Sequence, residues 1–460
     1  VLWPIHNKEL KKFIPMALMM FCILFNYSLL RVNKDSMIIT ECGAEIISAL
    51  KFWAVLPSAV IFMIVYSKLA NILSKPNLFY TISMFFLGFF AVFGFILYPL
   101  GNTLYVNVDG AIAALPFLKW IFKMVSVWPL TLFYIMSELW GSVMLSLMFW
   151  QFANQITPVL QAKRFYAMFG LIGNVSLMAT GKLCKKIQVY DDITANYIIS
   201  ISLLVFGFLA VFAYSWINRN VLTDPEQYNP SEITQKKKKA KLSIGESFKY
   251  IFTSKYIGYI ALLVICYGIS INLIEGVWKD QVKHLYPNKA DYRAFMGNLQ
   301  LWTGVGTIIC MIIGANILRV FGWTIGALAT PVMVLVTGGL FLLLVVFQSS
   351  SFIVGMVGEN ILHFAVIMGL LQNVLAKSTK YSLFDSTKEM SYIPLDDELK
   401  SKGKAAVDVV GGRLGKSGGA AIQFLLLMIP GASLTSLAPT LAIICVAIIL
   451  IWLWAVLALR

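Results

Sequence analysis

Two carboxylates stand where a carboxylate is hard to keep. Glu138 lies in Met136-Ser137-Glu138-Leu139-Trp140-Gly141-Ser142, inside an apolar stretch from Trp128 to Trp150, and Glu275 closes the segment Ser270-Ile271-Asn272-Leu273-Ile274-Glu275. A charge within a hydrocarbon layer costs at least ~2.5–3.5 kcal/mol on insertion scales, so each is a candidate for function. One role is a salt bridge holding helices together. Another is a pair made in one state of a transporter and broken in the next, and the two roles are compatible. Arg31 and Lys34, in Leu30-Arg31-Val32-Asn33-Lys34-Asp35-Ser36, stand about one helical turn apart. If the helix continues to Thr40, both cations share a face and suit phosphate oxygens. If it ends at Lys34, that lysine snorkels to the membrane surface.

The segment from Ser401 to Gly419 is the richest in candidate chemistry. Lys402, Lys404, Arg413 and Lys416 are spread among glycines and alanines, a pattern that suits close helix packing beside an anion path, or simply a basic loop entering a helix. Gly415-Lys416-Ser417 resembles the end of a P-loop, but that motif needs glycine at position 410, where this chain has Val410, and no strand precedes it. His6, His284 and His363 are isolated, and Cys22, Cys42, Cys184, Cys266, Cys310 and Cys445 show no metal-ligand spacing. Neither a metal nor a cofactor is expected, and no catalytic residue of a soluble enzyme is visible.

Positioning these residues falls to membrane helices. Of the 460 residues, 59% are hydrophobic and 13% charged, outside the range of soluble proteins. Apolar runs of roughly 17–25 residues separate the polar clusters, the length that crosses a bilayer as a helix. Runs such as Leu441 to Leu459 are apolar on every face, which excludes a β-barrel. The expected spans are Phe13 to Thr40, Leu50 to Ala70, Leu78 to Leu100, Trp128 to Gln151, Phe165 to Gly181 and Tyr197 to Ile217. After a polar segment come Tyr256 to Lys279, Met296 to Ile317, Thr324 to Phe347, Phe352 to Leu375, Val407 to Ile429 and Leu437 to Leu459.

The expected fold is therefore an all-α polytopic membrane protein of about twelve helices in two six-helix halves, like the major facilitators. Residues 1–217 form the first bundle, 218–255 a basic linker, and 256–460 the second bundle. The linker run Lys236 to Lys239 with Lys241 reads as a solvated connector that fixes topology, with no nucleic acid implied. The net charge of +15 reflects Lys and Arg retained on one side, which places both termini in the cytoplasm. Basic residues at the N-terminus followed by an apolar run imitate a signal peptide, but no cleavage site follows, so this is read as the first span. Val32-Asn33-Lys34-Asp35 and Val277-Trp278-Lys279-Asp280 end the first span of each half, a trace of internal duplication.

Several segments carry a family resemblance: Glu9 to Tyr27, Ser137 to Gly170, Leu222 to Pro225, Tyr267 to Lys279, Tyr381 to Pro394 and Lys402 to Gly419. Together they resemble the ATP/ADP translocases, the nucleotide transporters of plastids and of obligate intracellular bacteria such as rickettsiae and chlamydiae. The resemblance implies exchange of external ATP for internal ADP by alternating access, or else transport of other nucleotides such as GTP, UTP or CTP, with or without protons. It implies a bacterial inner membrane, with the plastid inner envelope as the lesser alternative, and a functional monomer. The family's charged residues that matter for transport fall on Lys34, Glu138, Glu275 and Lys402. Arg31, Lys404, Arg413 and Lys416 are expected to assist at the phosphates. Glu138 and Glu275 are expected to pair with cations when the cleft is empty, and Trp140, Trp150 and Trp278 are candidates for stacking the base. The chain departs from the family's pattern at Val32-Asn33, between the two basic residues, which leaves base selectivity open.

Overall fold

The computed structural model describes residues 4–228, 254–358, 360–395, 403–404, 407 and 411–460. Backbone N–H and C=O groups have no water to bond with in lipid, so a chain this apolar satisfies them within helices. Among the described residues every regular element is helical, and eleven helices are long and apolar enough to cross a membrane. They are α1 (Asn7–Cys42), α2 (Ile46–Ile72), α3 (Lys75–Leu104), α4 (Trp128–Ile156), α5 (Leu160–Val189), α6 (Asp192–Asn220) and α7 (Lys255–Leu285). The run Lys289–Val346 breaks at Gly322, whose φ of 76° only glycine adopts without strain, and its two arms are α8 and α9. The remaining helices are α10 (Ile361–Met390), α11 (Gly412–Leu427) and α12 (Ala438–Ala458). Of these, α11 is described over the 16 residues Gly412–Leu427.

α1 and α7 are the inner helices. α1 packs against α4, α5 and α6, and α7 against α10, α11 and α12. Among the described residues the halves meet where α5 and α1 pack against the Lys289–Val346 run and where α2 packs against α11. Small residues let the seam between α5 and α8 close: a Cβ on Gly181 would lie 2.6 Å from Gly297 O, and one on Gly304 would lie 2.7 Å from Asn174 O. The outer surface keeps large apolar side chains exposed, among them Phe212, Ile312, Ile443 and Leu450, as a lipid-facing belt requires.

Most helices run beyond the expected apolar cores, and the largest correction concerns α10. The sequence places a span at Phe352 to Leu375 with a basic loop after it. Instead a separate short helix, Ser351–Val357, ends at Gly358 with φ 82°, and α10 begins at Ile361 and continues to Met390. Lys377, Lys380 and Asp385 thus lie in a helix, where they find polar partners. Likewise the connection expected between Lys279 and Met296 shrinks to Tyr286, Pro287 and Asn288: α7 runs to Leu285, and Arg293 is buried in α8, which starts at Lys289.

Candidate functional site

The embedded charges converge. On α1, Arg31, Lys34 and Asp35 have helical spacing that turns them to one side, as do Tyr134 and Glu138 on α4 and Glu275 and Lys279 on α7. Lys34 Nζ lies 2.7 Å from Asp35 Oδ1 and 3.0 Å from Glu138 Oε1, and sits over the Tyr134 ring at 3.8 Å from its centroid. Lys279 Nζ lies 2.8 Å from Asp35 Oδ2 and 3.4 Å from Glu275 Oε1. Arg31 Nη2 and Lys377 Nζ approach the same Glu275 oxygen at 3.5 Å and 3.8 Å. The result is one chain of charges, Glu138–Lys34–Asp35–Lys279–Glu275, ending at Arg31 and Lys377. It joins α1, α4, α7 and α10 and crosses twice between the halves, at Asp35–Lys279 and at Arg31–Glu275.

Four cations here face three carboxylates, Arg31, Lys34, Lys279 and Lys377 against Asp35, Glu138 and Glu275. Lys51 from α2 adds a further positive charge nearby, its Nζ donating to Asn272 Oδ1 at 2.7 Å. The cluster therefore carries formal positive charge in excess, and an anion is the ligand that balances it. Side-chain exposure falls from 34% at Glu138 and 28% at Arg31 to 4% at Lys34 and 1% at Asp35, so an entering anion meets the outer members first.

On the membrane face opposite the N-terminus, polar contacts tie the halves together. Lys289 Nζ lies 3.2 Å from Asp192 Oδ2, and Gln188 Nε2 donates to Asp291 Oδ1 at 2.8 Å. These join the α5–α6 turn to the start of α8 and close that face.

Other sequence candidates lie elsewhere. Lys404 pairs with Glu389, whereas Lys416, exposed on α11, stays close enough to Glu138 to interact with its carboxylate electrostatically. Lys402 and the linker lysines Lys236 to Lys239 and Lys241 lie outside the described residues, as does the side chain of Arg413. Trp140 is buried between Phe86 and Phe90, its Nε1 donating to Ile23 O at 3.2 Å. Trp278 is buried against Gly369 and Phe295, and its Nε1 donates to Val366 O at 2.9 Å. Both indoles are packed as core and offer no open ring face. Trp150 lies edge-on to Tyr166, the centroids 5.0 Å apart.

The model of the family described as TLC ATP/ADP transporter matches residues 1–460. The chain belongs to this family. Among curated relatives of the TLC transporters, ADP,ATP carrier protein 1 of Rickettsia conorii is 48% identical over 467 residues, covering 99% of this chain and 94% of the relative. ADP,ATP carrier protein 1 of Chlamydia pneumoniae is 52% identical over 470 residues, covering 98% and 91%. A crystal structure of a D-xylose–proton symporter superposes with a TM-score of 0.60 at 12% identity, covering 97% of this chain and 96% of the symporter. That likeness shows a major-facilitator-like fold for this TLC chain, and its eleven described helices of spanning length make it a multi-pass membrane protein.

Sequence reasoning missed half of the cluster in this TLC transporter. Asp35 and Lys279 appeared only as letters of a repeat, because a hydropathy window ended the span at Lys279. Lys377 falls two residues past the expected end of its span at Leu375, and Lys51 is the second residue of the span expected from Leu50. One available signal was spacing: Glu275 and Lys279 are four residues apart, the distance at which opposite charges meet on one helix face.

Proposed function

We propose that the chain exchanges external ATP for internal ADP by alternating access, as a secondary transporter and not an enzyme. The observation that carries this reading is the buried, positively biased chain of charges that crosses between the halves. The family it belongs to, and relatives named ADP,ATP carriers, favour a nucleotide as the visiting anion. In the empty carrier the carboxylates hold the cations: Glu138 holds Lys34, and Glu275 holds Arg31, Lys279 and Lys377. Phosphate oxygens take over those cations when cargo enters. The freed carboxylates lose the contacts that fixed one half against the other, and the halves rock. Lysine suits this task, since a single mobile ammonium releases a phosphate that a planar bidentate arginine would retain.

Residues 1–217 and 256–460 would be the two rocking units, with 218–255 as their basic connector. The membrane is a bacterial inner membrane with both termini in the cytoplasm, and the working unit is a monomer. On this orientation the Asp192–Lys289 contact closes the external face. Lys402, which lies outside the described residues, is assigned to phosphate binding with Arg31 and Lys34 by the family resemblance alone, and Lys404, Arg413 and Lys416 are assigned assisting roles on the same ground.

The test is transport by the purified chain in liposomes loaded with unlabelled ADP, beside empty liposomes and a panel of other nucleotides. Entry of labelled ATP only into loaded vesicles supports the reading. Entry into empty vesicles, or selection of guanine or pyrimidine nucleotides, refutes it. ATP carries about one more negative charge than ADP, so exchange should respond to voltage at ~2.3 kcal/mol per charge per 100 mV.

A further inference from the structure

Lys34 and Lys279 reach Asp35 from helices that hold the same place in the two halves. The matched tetrapeptides Val32-Asn33-Lys34-Asp35 and Val277-Trp278-Lys279-Asp280 lie in α1 and α7, and each lysine takes its own oxygen of the Asp35 carboxylate, at 2.7 Å and 2.8 Å. The second acid of the repeat is turned elsewhere, for Asp280 Oδ2 accepts from Thr435 Oγ1 at 2.6 Å. The repeat has thus brought two equivalent ammonium groups to one anion. A carboxylate held through both oxygens by two lysines has the arrangement of a phosphate group held through two of its oxygens.

We infer that Lys279 is a second phosphate-binding residue equivalent to Lys34, and that Asp35 is the internal counter-anion a substrate phosphate displaces. This rests on the nucleotide-exchange reading and deepens it. A purely structural ion pair needs one cation for each carboxylate, and unneutralised charge left buried is strongly unfavourable. Here four cations, Arg31, Lys34, Lys279 and Lys377, face three carboxylates, Asp35, Glu138 and Glu275, so one formal positive charge is left over for another anion. The chemical class is a di- or triphosphate chain, gripped at one phosphate by one lysine from each half. Cargo held in this way contacts both halves at once.

The experiment measures binding of tripolyphosphate to the full-length chain in detergent, and nucleotide exchange in liposomes, for the parent, Lys279→Ala, Asp35→Asn and the double variant Asp35→Asn/Lys279→Gln. Lys279→Ala should weaken tripolyphosphate binding about tenfold or more and abolish exchange, the loss expected for a charge-assisted contact. Asp35→Asn should tighten binding severalfold and slow exchange, so that KM and the maximal rate fall together. The double variant removes one charge of each sign, which keeps the cluster balanced where the single variants fail to fold. It should remain inactive. Exchange at the parental rate by the double variant, or parental binding by Lys279→Ala, overturns the inference, since Lys279 would then only neutralise Asp35. A parent that binds tripolyphosphate yet moves no adenine nucleotide counts against the exchange reading alone, and the binding results still decide the lysine pair.

Discussion

One methyl group added at Gly297 should change which face of the molecule is open. Gly297 lies in the seam between α5 and α8, close to the contacts that close the face opposite the N-terminus. A Cβ there would meet Cys184 Cβ at 2.7 Å and Gly181 O at 3.1 Å. Neither atom is the end of a flexible side chain, so the helices must part. Overpacking of this kind costs ~1–3 kcal/mol, comparable to the few kcal/mol that separate conformations in exchange. At 1.4 kcal/mol per decade, Gly297→Ala should lower the population of this closed state by roughly 5- to 150-fold relative to a state with the seam splayed. The assay uses a cysteine-free chain carrying Gln188→Cys and Asp291→Cys, whose parent side chains touch at 2.8 Å. A short bifunctional thiol-reactive reagent such as a bis-methanethiosulfonate should cross-link this pair in membranes, and Gly297→Ala should cut the yield severalfold and slow exchange. Gly88→Ala, whose new Cβ meets nothing within 4 Å, should do neither. Unchanged cross-linking and unchanged exchange in Gly297→Ala would show that the α5–α8 seam does not set the state.

Four further outcomes are expected. Lys34→Ala leaves Glu138 without its partner and Asp35 with one lysine, so exchange should be lost and thermal stability should fall, a broken buried pair costing ~3–5 kcal/mol. Glu138→Gln should slow exchange at least about tenfold, a loss of ~1.4 kcal/mol or more, while the chain still elutes as a single species; parental exchange would remove it from the site. Trp278→Phe gives up the bond to Val366 O and should lower the melting temperature, yet change KM for nucleotide less than about twofold; a KM rise near tenfold would restore the stacking role. Glu45, between α1 and α2, has its carboxyl pushed up by burial and by Asp280, so the folded state holds that proton more tightly than the unfolded state. Stability is therefore lost as pH rises through the ordinary carboxylate range toward the raised value, and Glu45→Gln should melt higher than the parent at neutral pH but not near pH 4, by calorimetry in detergent.

The fold was legible because lipid leaves so few choices. Apolar run length placed most helices, and the six-plus-six plan follows from the polar break after Ile217. What failed was the reading of helix ends. A hydropathy window stops at the first cluster of charge, but charge inside a bundle can be neutralised by a neighbouring helix, so α7 passes straight through Lys279 and α10 through Lys377. The site was legible where a lone acid stood among apolar residues, as at Glu138 and Glu275. It was not legible where the partner came from another helix, because no local pattern announces that Asp35 and Lys279 meet across the two halves. The tryptophans misled for a related reason. Proximity in sequence to a motif says nothing about which way a ring faces, and Trp140 and Trp278 face the core.

The charges proposed to hold cargo also bolt the two halves together, through Asp35–Lys279 and Arg31–Glu275. An unladen carrier that rocked would tear open bonds in a dry interior with nothing to replace them, whereas a laden one trades partners on the way. Leakage is thereby suppressed by the same charges that would receive the cargo. A cell with such a carrier in its membrane could draw on a neighbour's energy currency without bleeding its own adenylate pool, because each inward passage needs an outward passenger to bring the carrier back.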